Sequence, residues 1–204
     1  MLKKGLRKGS PRIGMHKVKL YLLTSNKGKV EEIARVAVKY GVELETVNAP
    51  KLEVQSDSLR EIALYSAINY YVSSGGMPVL TEDAGLFIRA LNGFPGPYSS
   101  YVYRTLGVKG VLKLMDGVED REAYFESAVA IVYDGLIVAE TARVNGLISK
   151  EARGEGGFGF DPIFIPHGFT RTFAEMSIDE KNSISHRAKA VAKALESLLN
   201  LLKI

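Results

Sequence analysis

The sequence contains no cysteine and only three histidines, His16, His167 and His186. Without cysteine, disulfide bonds and thiolate metal sites are excluded, and we expect a cytoplasmic protein. The histidines form no cluster that would suggest zinc. No apolar run reaches 18 residues, so we expect no membrane span. The spacings of a P-loop and of a Gly-x-Ser-x-Gly nucleophile elbow are also missing.

Charge is distributed unevenly along the 204 residues. The formal net charge is +4, but residues 1–17 hold six basic residues and no acidic one. The remainder therefore has 21 basic and 23 acidic residues, a net of −2, and we expect no stable nucleic-acid partner. Residues 1–17 also lack the apolar segment of a signal peptide. We interpret them as a disordered or misassigned extension, with an RNA- or phosphate-binding arm as the alternative.

Hydrophobic patterning in residues 18–204 predicts one α/β domain. Asn26 is positioned to cap a helix that ends near Gly41, and Asp134-Gly135 joins two strand-like runs as a hairpin. We predict strands over 18–23, 42–47, 79–81, 86–90, 123–133 and 136–144. We predict helices over 27–40, 59–74 and 185–202, and one or two short helices over 101–115. A second lobe built on the hairpin would leave a cleft suited to a ligand.

Residues 24–29 connect the first predicted strand to the N-terminal turn of the first helix and include that turn. The free N–H groups and positive dipole at a helix start favour an anion. Thr24, Ser25, Asn26 and Lys29 would add side-chain donors. The alternative is a capped helix with solvated lysines.

Glu53, Glu82 and Asp83 are the carboxylates best placed for chemistry. Glu82-Asp83 follows a predicted strand and precedes a glycine, so we expect the pair at a strand end. Carboxylates can hold the magnesium that accompanies a triphosphate, or activate a water molecule. The alternative is a solvated acidic turn.

Residues 157–187 combine glycines, aromatic rings and charged side chains. Phe158 and Phe160 could stack on a base, or belong to the core. Asp161 lies in a constrained turn between phenylalanine and proline. Arg187 has a fork of donors that suits a purine carbonyl, with Lys181 as a further donor, whereas His186 alone is more often structural.

Six segments together resemble the inosine/xanthosine triphosphate pyrophosphatase family, also called Ham1-like purine nucleoside triphosphate pyrophosphatases. The resemblance extends from residue 19 to near the C-terminus, in order. The segments are Thr-Ser-Asn-Lys-Gly-Lys at 24–29, Glu-Asp-Ala-Gly-Leu at 82–86, Leu-Asn-Gly-Phe-Pro-Gly-Pro-Tyr-Ser at 91–99, Gly-Phe-Gly-Phe-Asp-Pro-Ile-Phe at 157–164, Thr-Phe-Ala-Glu-Met at 172–176 and Lys-Asn-Ser-Ile-Ser-His-Arg at 181–187.

This resemblance implies magnesium-dependent hydrolysis of ITP, dITP and XTP to the monophosphate and pyrophosphate, which clears deaminated purines. It also implies an elongated, twisted mixed sheet with flanking helices, two lobes around a central cleft, and a homodimer.

The resemblance further implies a role for each matching residue. Thr24, Ser25, Asn26 and Lys29 would grip the triphosphate, Glu53 would bind metal, Asp83 would bind metal or act as base, and Glu82 would assist. Phe158 and Phe160 would contact the base, while Asp161, Lys181, Ser185, His186 and Arg187 would line the base and sugar end. The chain departs from the family at Phe160, where a tryptophan or tyrosine is frequent. It departs again after Tyr98, where Ser99-Ser100-Tyr101 replaces a basic residue and Arg104 follows.

Two other functions remain as alternatives. One is a Maf-like pyrophosphatase acting on pyrimidine or modified nucleotides. The other is a non-enzymatic nucleotide- or RNA-binding module that uses the basic extension and binds in a salt-sensitive manner.

Overall fold

The computed structural model describes residues 18–204, so our expectation for residues 1–17 lies outside the described part of the chain. Seven strands are found there: β1 Lys19–Leu23, β2 Glu43–Val47, β3 Val79–Ile88, β4 Pro95–Gly96, β5 Glu122–Tyr133, β6 Leu136–Ile148 and β7 Phe164–Pro166. The α-helices in the same residues are α1 Lys27–Lys39, α2 Leu59–Ser73, α3 Ser99–Thr105, α4 Gly107–Leu114, α5 Ile178–Ile184 and α6 His186–Leu202. Single 3₁₀ turns occur at Arg89–Leu91, Asp161–Ile163 and Phe173–Glu175.

The strands form one mixed sheet in the order β2-β1-β3-β5-β6-β7, with β4 paired to β3 outside this path. β1 pairs in parallel with β2 and β3, which follow it through α1 and α2. The remaining pairings are antiparallel. Parallel neighbouring strands need a crossover connection, which α1 and α2 provide here. The β5–β6 hairpin forms the antiparallel part of the sheet. The predicted mixed α/β sheet is therefore confirmed.

Separate hydrophobic cores lie toward the two ends of the long strands. Toward β1, the side chains of Leu20, Ile33 and Leu195 join β1 to α1 and α6. At the other end, Phe125 of β5 packs with Phe164 and Phe173, under α3 and α4. The long strands β3 and β5 contribute to both cores and connect the two lobes.

Local signals produced the predicted boundaries of α1 and of the hairpin. The Asn26 side chain accepts a hydrogen bond from the Lys29 backbone N–H at 3.1 Å, which caps α1. Asp134 and Gly135 both have positive φ angles, 47° and 77°, as a two-residue turn that matches strand twist requires. No helix within residues 18–204 is long and apolar enough to cross a bilayer.

One prediction of secondary structure was wrong. Glu82 and Asp83 lie in the interior of the ten-residue strand β3, not at a strand end. Ladder pairing with β5 continues through the polar stretch, with Glu82 opposite Val129 and Asp83 opposite Ala128. Pairing between distant segments has thus outweighed the polar local sequence. The short strands β4 and β7 and the short helix α5 were not predicted.

Candidate active site

A cleft of about 560 Å³ opens where the two lobes meet, a size typical of small-molecule sites. Among the residues that we predicted for the site, Thr24, Ser25, Asn26, Lys29, Glu53, Asp83, Phe158, Phe160, Asp161, His186 and Arg187 line it. Glu82, Lys181 and Ser185 are buried and do not line it. We call the region around Glu53 and Asp83 the carboxylate end, and the region around Phe158, Phe160 and His186 the aromatic end.

The N-terminus of α1 forms one wall of the cleft. Thr24 Oγ1 accepts a hydrogen bond from the Asn26 backbone N–H at 3.2 Å, so the segment before the helix is fixed. The first N–H groups of α1 and its positive dipole end favour an anion beside them. Lys29 Nζ lies 2.8 Å from Glu82 Oε2, which holds this ammonium near the carboxylate end.

Glu82 points away from the cleft into the protein. It accepts hydrogen bonds from Ser127 Oγ and, at 3.0 Å, from Arg187 Nε. Burial opposes its ionisation, but Arg187 and Lys29 outweigh burial and hold the Glu82 pKa well below its ordinary value. Glu82 is therefore a permanent anion that orients Lys29 and Arg187 from behind.

Asp83 is the neighbour of Glu82 in β3, so strand alternation turns its side chain to the opposite face of the sheet. There the Lys51 ammonium lies 2.8 and 2.7 Å from the two Asp83 carboxylate oxygens, and 3.2 Å from Glu53 Oε1. Burial raises the pKa of Asp83, although Lys51 and Lys29 partly offset the effect. Glu53 and Asp83, predicted from segments 30 residues apart, are thus brought to one ammonium.

The carboxylate end has the donor chemistry of a magnesium site. Glu53 and Asp83 offer hard oxygen ligands toward an open cleft. No group of three or more potential ligands among His, Cys, Asp and Glu occurs in residues 18–204. One or two carboxylates fit magnesium that keeps several waters and reaches phosphate oxygens, rather than a metal caged by protein alone. The residues present therefore fit this metal.

At the aromatic end, Phe158 is half-buried and exposed to the cleft. Lys181 Nζ and the Arg187 guanidinium each lie 5.0 Å from the centre of its ring, which is favourable cation–π geometry. The ring also rests on the start of α1, where a Cβ added at Gly28 would lie only 2.5 Å from Phe158 Cδ1. Phe160 is buried and meets Tyr103 edge to face at 5.5 Å, so it serves the core while lining the cleft.

Behind Phe158 lies a buried charge network, which we define as Glu32, Glu82, Asp161, Lys181 and Arg187. Each of these residues is at most 3% exposed. Lys181 Nζ donates at 2.6 Å to both Glu32 Oε1 and Asp161 Oδ2. Arg187 donates to the other oxygen of Glu32 and to Glu82. With Lys29 added, three carboxylates face three cations, so the network is balanced.

The pKa directions in this network follow its contacts. Burial opposes ionisation of Glu32, but Arg187 and Lys181 outweigh it and hold the Glu32 pKa below its ordinary value. Burial raises the pKa of Asp161 despite Lys181. Asp161 also accepts a hydrogen bond from the Phe158 backbone N–H at 2.8 Å. The network therefore fixes the backbone that presents Phe158 to the cleft.

His186 and Ser185 begin α6. Ser185 Oγ accepts from the Ala188 backbone N–H at 3.2 Å and so caps this helix. His186 stacks on Phe125 with ring centres 4.6 Å apart. Burial, Arg187 and Lys181 hold its pKa well below the ordinary value, so His186 is neutral. Its Nδ1 is buried without a hydrogen-bond partner among residues 18–204.

Sequence reasoning missed two charged residues of this region, Glu32 and Lys51. Glu32 reads as part of a surface helix, and nothing local links it to Lys181 or Arg187. Lys51 lies in a loop, and only its spacing of two from Glu53 could have suggested a contact. Arg104 had been noted after the departure at Ser99-Ser100; on α3 it lines the cleft and donates to Ser100 Oγ at 2.7 Å.

Comparison with known proteins decides the family. The model of the Ham1 family matches residues 20–197. The chain belongs to the Ham1 family. This Ham1-family chain is 50% identical over 171 residues to the dITP/XTP pyrophosphatase of Hyperthermus butylicus, covering 84% of this chain and 90% of that protein. It is 47% identical to the dITP/XTP pyrophosphatase of Thermococcus kodakarensis, covering 91% and 100%.

Solved structures agree with this assignment. A HAM1 protein from Coxiella burnetii superposes with a TM-score of 0.78 at 28% identity, covering 90% of this chain and 99% of that chain. A dITP/XTP pyrophosphatase from Mycobacterium abscessus gives 0.67 at 32% identity, covering 86% and 98%. The predicted family and fold are both confirmed for this Ham1-family chain.

Proposed function

We propose that this Ham1-family protein hydrolyses dITP, ITP and XTP to the monophosphate and pyrophosphate, and so clears deaminated purines from the nucleotide pool. Residues 18–204 would be the catalytic domain, because one sheet extends through both of its lobes. The names of its relatives, which match about half of its residues over most of its length, support the activity.

One observation carries the proposal. A single cleft joins an anion-favouring helix start with two lysines, a pair of carboxylates, and an aromatic ring beside hydrogen-bonding groups. A nucleoside triphosphate has the matching order of parts, because its anionic phosphates and its flat base lie at opposite ends. A Maf-like substrate preference finds less support, since the curated relatives are named for dITP and XTP.

The protein's own residues would act as follows. Thr24, Ser25, Asn26 and the start of α1 receive the phosphates, and Lys29 neutralises their charge. Asp83 accepts a proton from a water whose oxygen attacks the α-phosphorus. The bond from the α-phosphorus to its bridging oxygen breaks, and pyrophosphate leaves with that oxygen. Glu82 keeps Lys29 in place from behind the cleft.

Magnesium is the cofactor that we propose, with Glu53 and Asp83 as its protein ligands. When bound, it would neutralise charge that develops on the leaving pyrophosphate. The carboxylate end suits a metal that arrives with its nucleotide, because two carboxylates leave room for phosphate oxygens and water.

Selection for a 6-oxopurine would come from donors at the aromatic end. Phe158 stacks on the base, and Arg187 and the start of α6 face its edge. A donor aimed at a 6-oxo group meets the amino group of ATP instead, which leaves buried polar groups unpaired. Sites of this kind can reject the wrong partner by about 10⁴ or more.

The active form that we propose is a homodimer. Several large apolar side chains that follow one another near α3 are exposed in the single chain, namely Phe94, Tyr98, Tyr101 and Leu106. A second copy that covers them would bury this surface. Light scattering after size-exclusion chromatography should report twice the chain's 22.3 kDa mass.

The deciding experiment measures pyrophosphate release from dITP, ITP, XTP, GTP, ATP and dTTP, with and without magnesium. We expect magnesium-dependent release that favours dITP, ITP and XTP. A preference for dTTP would instead support the Maf-like function. No turnover of any substrate, together with salt-sensitive RNA binding, would support a binding module.

A further inference from the structure

Lys51 occupies the position between the two carboxylates that the proposed reaction needs for its metal. Among residues 18–204, the Lys51 ammonium makes its close polar contacts with carboxylate oxygens, two on Asp83 at 2.8 and 2.7 Å and one on Glu53 at 3.2 Å. Its side chain is only 17% exposed, so the ammonium is held inside the cleft and not in solvent.

Lys51 and a magnesium ion exclude each other at this place. Magnesium binds carboxylate oxygens at about 2.0–2.1 Å, and those oxygens already face the ammonium. Two cations that share the same oxygens would repel each other strongly in a partly buried cleft. A metal can therefore bind Glu53 and Asp83 only after the Lys51 side chain has moved.

We infer that Lys51 is a tethered counter-ion that keeps the nucleotide-free protein from holding metal. Without nucleotide, Lys51 neutralises Asp83 and Glu53, so free divalent cations gain little by binding there. A nucleotide brings both its own metal and several negative charges, and these charges give the displaced ammonium new oxygen partners. Metal and nucleotide binding are then coupled, each strengthening the other.

Such coupling would make Lys51 a positioning residue for the metal. The inference rests on the proposed function, because it takes a metal-dependent reaction at this cleft as given. Its test needs no nucleotide, however, so that failure of the inference and failure of the proposed activity give different results.

The experiment titrates the nucleotide-free protein with Mn²⁺ alone and follows free Mn²⁺ by electron paramagnetic resonance. We expect weak binding to the natural protein. Lys51→Gln, which removes the charge and keeps a similar length, should tighten Mn²⁺ binding by about tenfold or more, since one unit charge within a few ångströms of the metal is lost. Lys51→Arg keeps the charge and should remain weak.

Two controls locate the effect. Lys39→Gln removes the same charge from the exposed end of α1, outside the cleft, and should leave Mn²⁺ binding unchanged. Adding Asp83→Asn to Lys51→Gln should abolish the gain. The inference is overturned if Lys51→Gln binds Mn²⁺ no better than the natural protein, or if Lys39→Gln gives the same gain. A lysine that merely anchors its loop would change the melting temperature without changing metal affinity.

Discussion

The aromatic end and the carboxylate end of the cleft differ in how their charges are held. Behind the aromatic end, the buried charge network is at most 3% exposed, and its cations bridge carboxylates on separate elements. At the carboxylate end, Glu53 is 63% exposed and lies in the loop that follows β2, with Lys51 as its partner. The side chains of the buried charge network have few alternative partners or positions, whereas Glu53 and Lys51 can change both.

This difference matches what each end would have to recognise under the proposed function. A base is rigid, and a preorganised set of donors discriminates between rigid partners most sharply. A metal-bound triphosphate is flexible and highly charged, so its site must accept a large change of charge when it fills. A buried network with fixed partners suits recognition of the base. A displaceable ammonium at Lys51 suits binding of the metal-bound triphosphate.

The largest effect should come from Asp83 at the carboxylate end. Asp83→Asn should lower turnover of dITP about a thousandfold, because it removes the proposed base and a metal ligand. The fold should persist. Because the folded-state pKa of Asp83 is raised, its stabilising contribution is present below the ordinary pKa of 3.8 and is lost as pH rises through the raised pKa.

At neutral pH burial of the Asp83 charge opposes folding whereas its contact with Lys51 favours folding, so the substitution should change the melting temperature little. Steady-state kinetics and thermal melting at pH 7 measure the two halves of this prediction. Asp179→Asn, on the exposed start of α5, is the matched control and should change neither. Near-normal turnover by Asp83→Asn would reject its proposed role.

The next effect concerns Arg187 and tests the rigid end. Arg187→Ala should cost about 3–5 kcal/mol of unfolding free energy, because Glu32 and Glu82 would remain buried with too few partners. It should also erode the preference for ITP over ATP. Arg187→Lys keeps the positive charge but loses the planar set of guanidinium donors. It therefore separates the two effects. The free energy of unfolding should partly recover, whereas the preference for ITP over ATP should not.

Arg35 is a matched control for Arg187, because it also bonds two carboxylates, Glu31 and Asp179, but at the surface. Arg35→Ala should barely change the denaturation midpoint, since exposed pairs contribute little. If Arg187→Ala and Arg35→Ala lost the same amount of unfolding free energy, the proposed difference between buried and exposed ion pairs would be wrong. An unchanged ITP/ATP ratio in Arg187→Lys would reject Arg187 as the reader of the base edge.

The sequence predicted those parts of the molecule whose causes are local. Asn26 caps the helix that it precedes, and Asp134-Gly135 turns the hairpin that it joins. The cleft-lining positions at 24–29 and 157–161 were also found, because their motifs are short and contiguous. The family resemblance then supplied the order in which these segments occur.

What could not be predicted depends on contacts between distant residues. Glu82 and Asp83 were predicted at a strand end, but pairing with β5 places them inside a strand whose two faces separate their side chains. Glu32 meets Lys181 and Arg187 about 150 residues later. Lys51 meets Asp83 only because the loop after β2 folds over β3. No local pattern encodes these partners.

The smallest effect should come from Gly28, which touches the aromatic end through Phe158. A Cβ at Gly28 would lie 2.5 and 2.7 Å from Phe158 Cδ1 and Cε1, so the ring must move in Gly28→Ala. We expect KM for dITP to rise several-fold with kcat nearly unchanged, because base stacking weakens equally in the ground and transition states.

A double-mutant cycle with Phe158→Leu decides whether this effect passes through the ring. If it does, adding Gly28→Ala to Phe158→Leu should raise KM little further, because the smaller side chain leaves room for the new methyl group. Additive effects would instead place Gly28 beside the phosphates at the start of α1. In that case Gly28 would belong functionally to the phosphate-binding part of the cleft, and the aromatic end would begin only at Phe158.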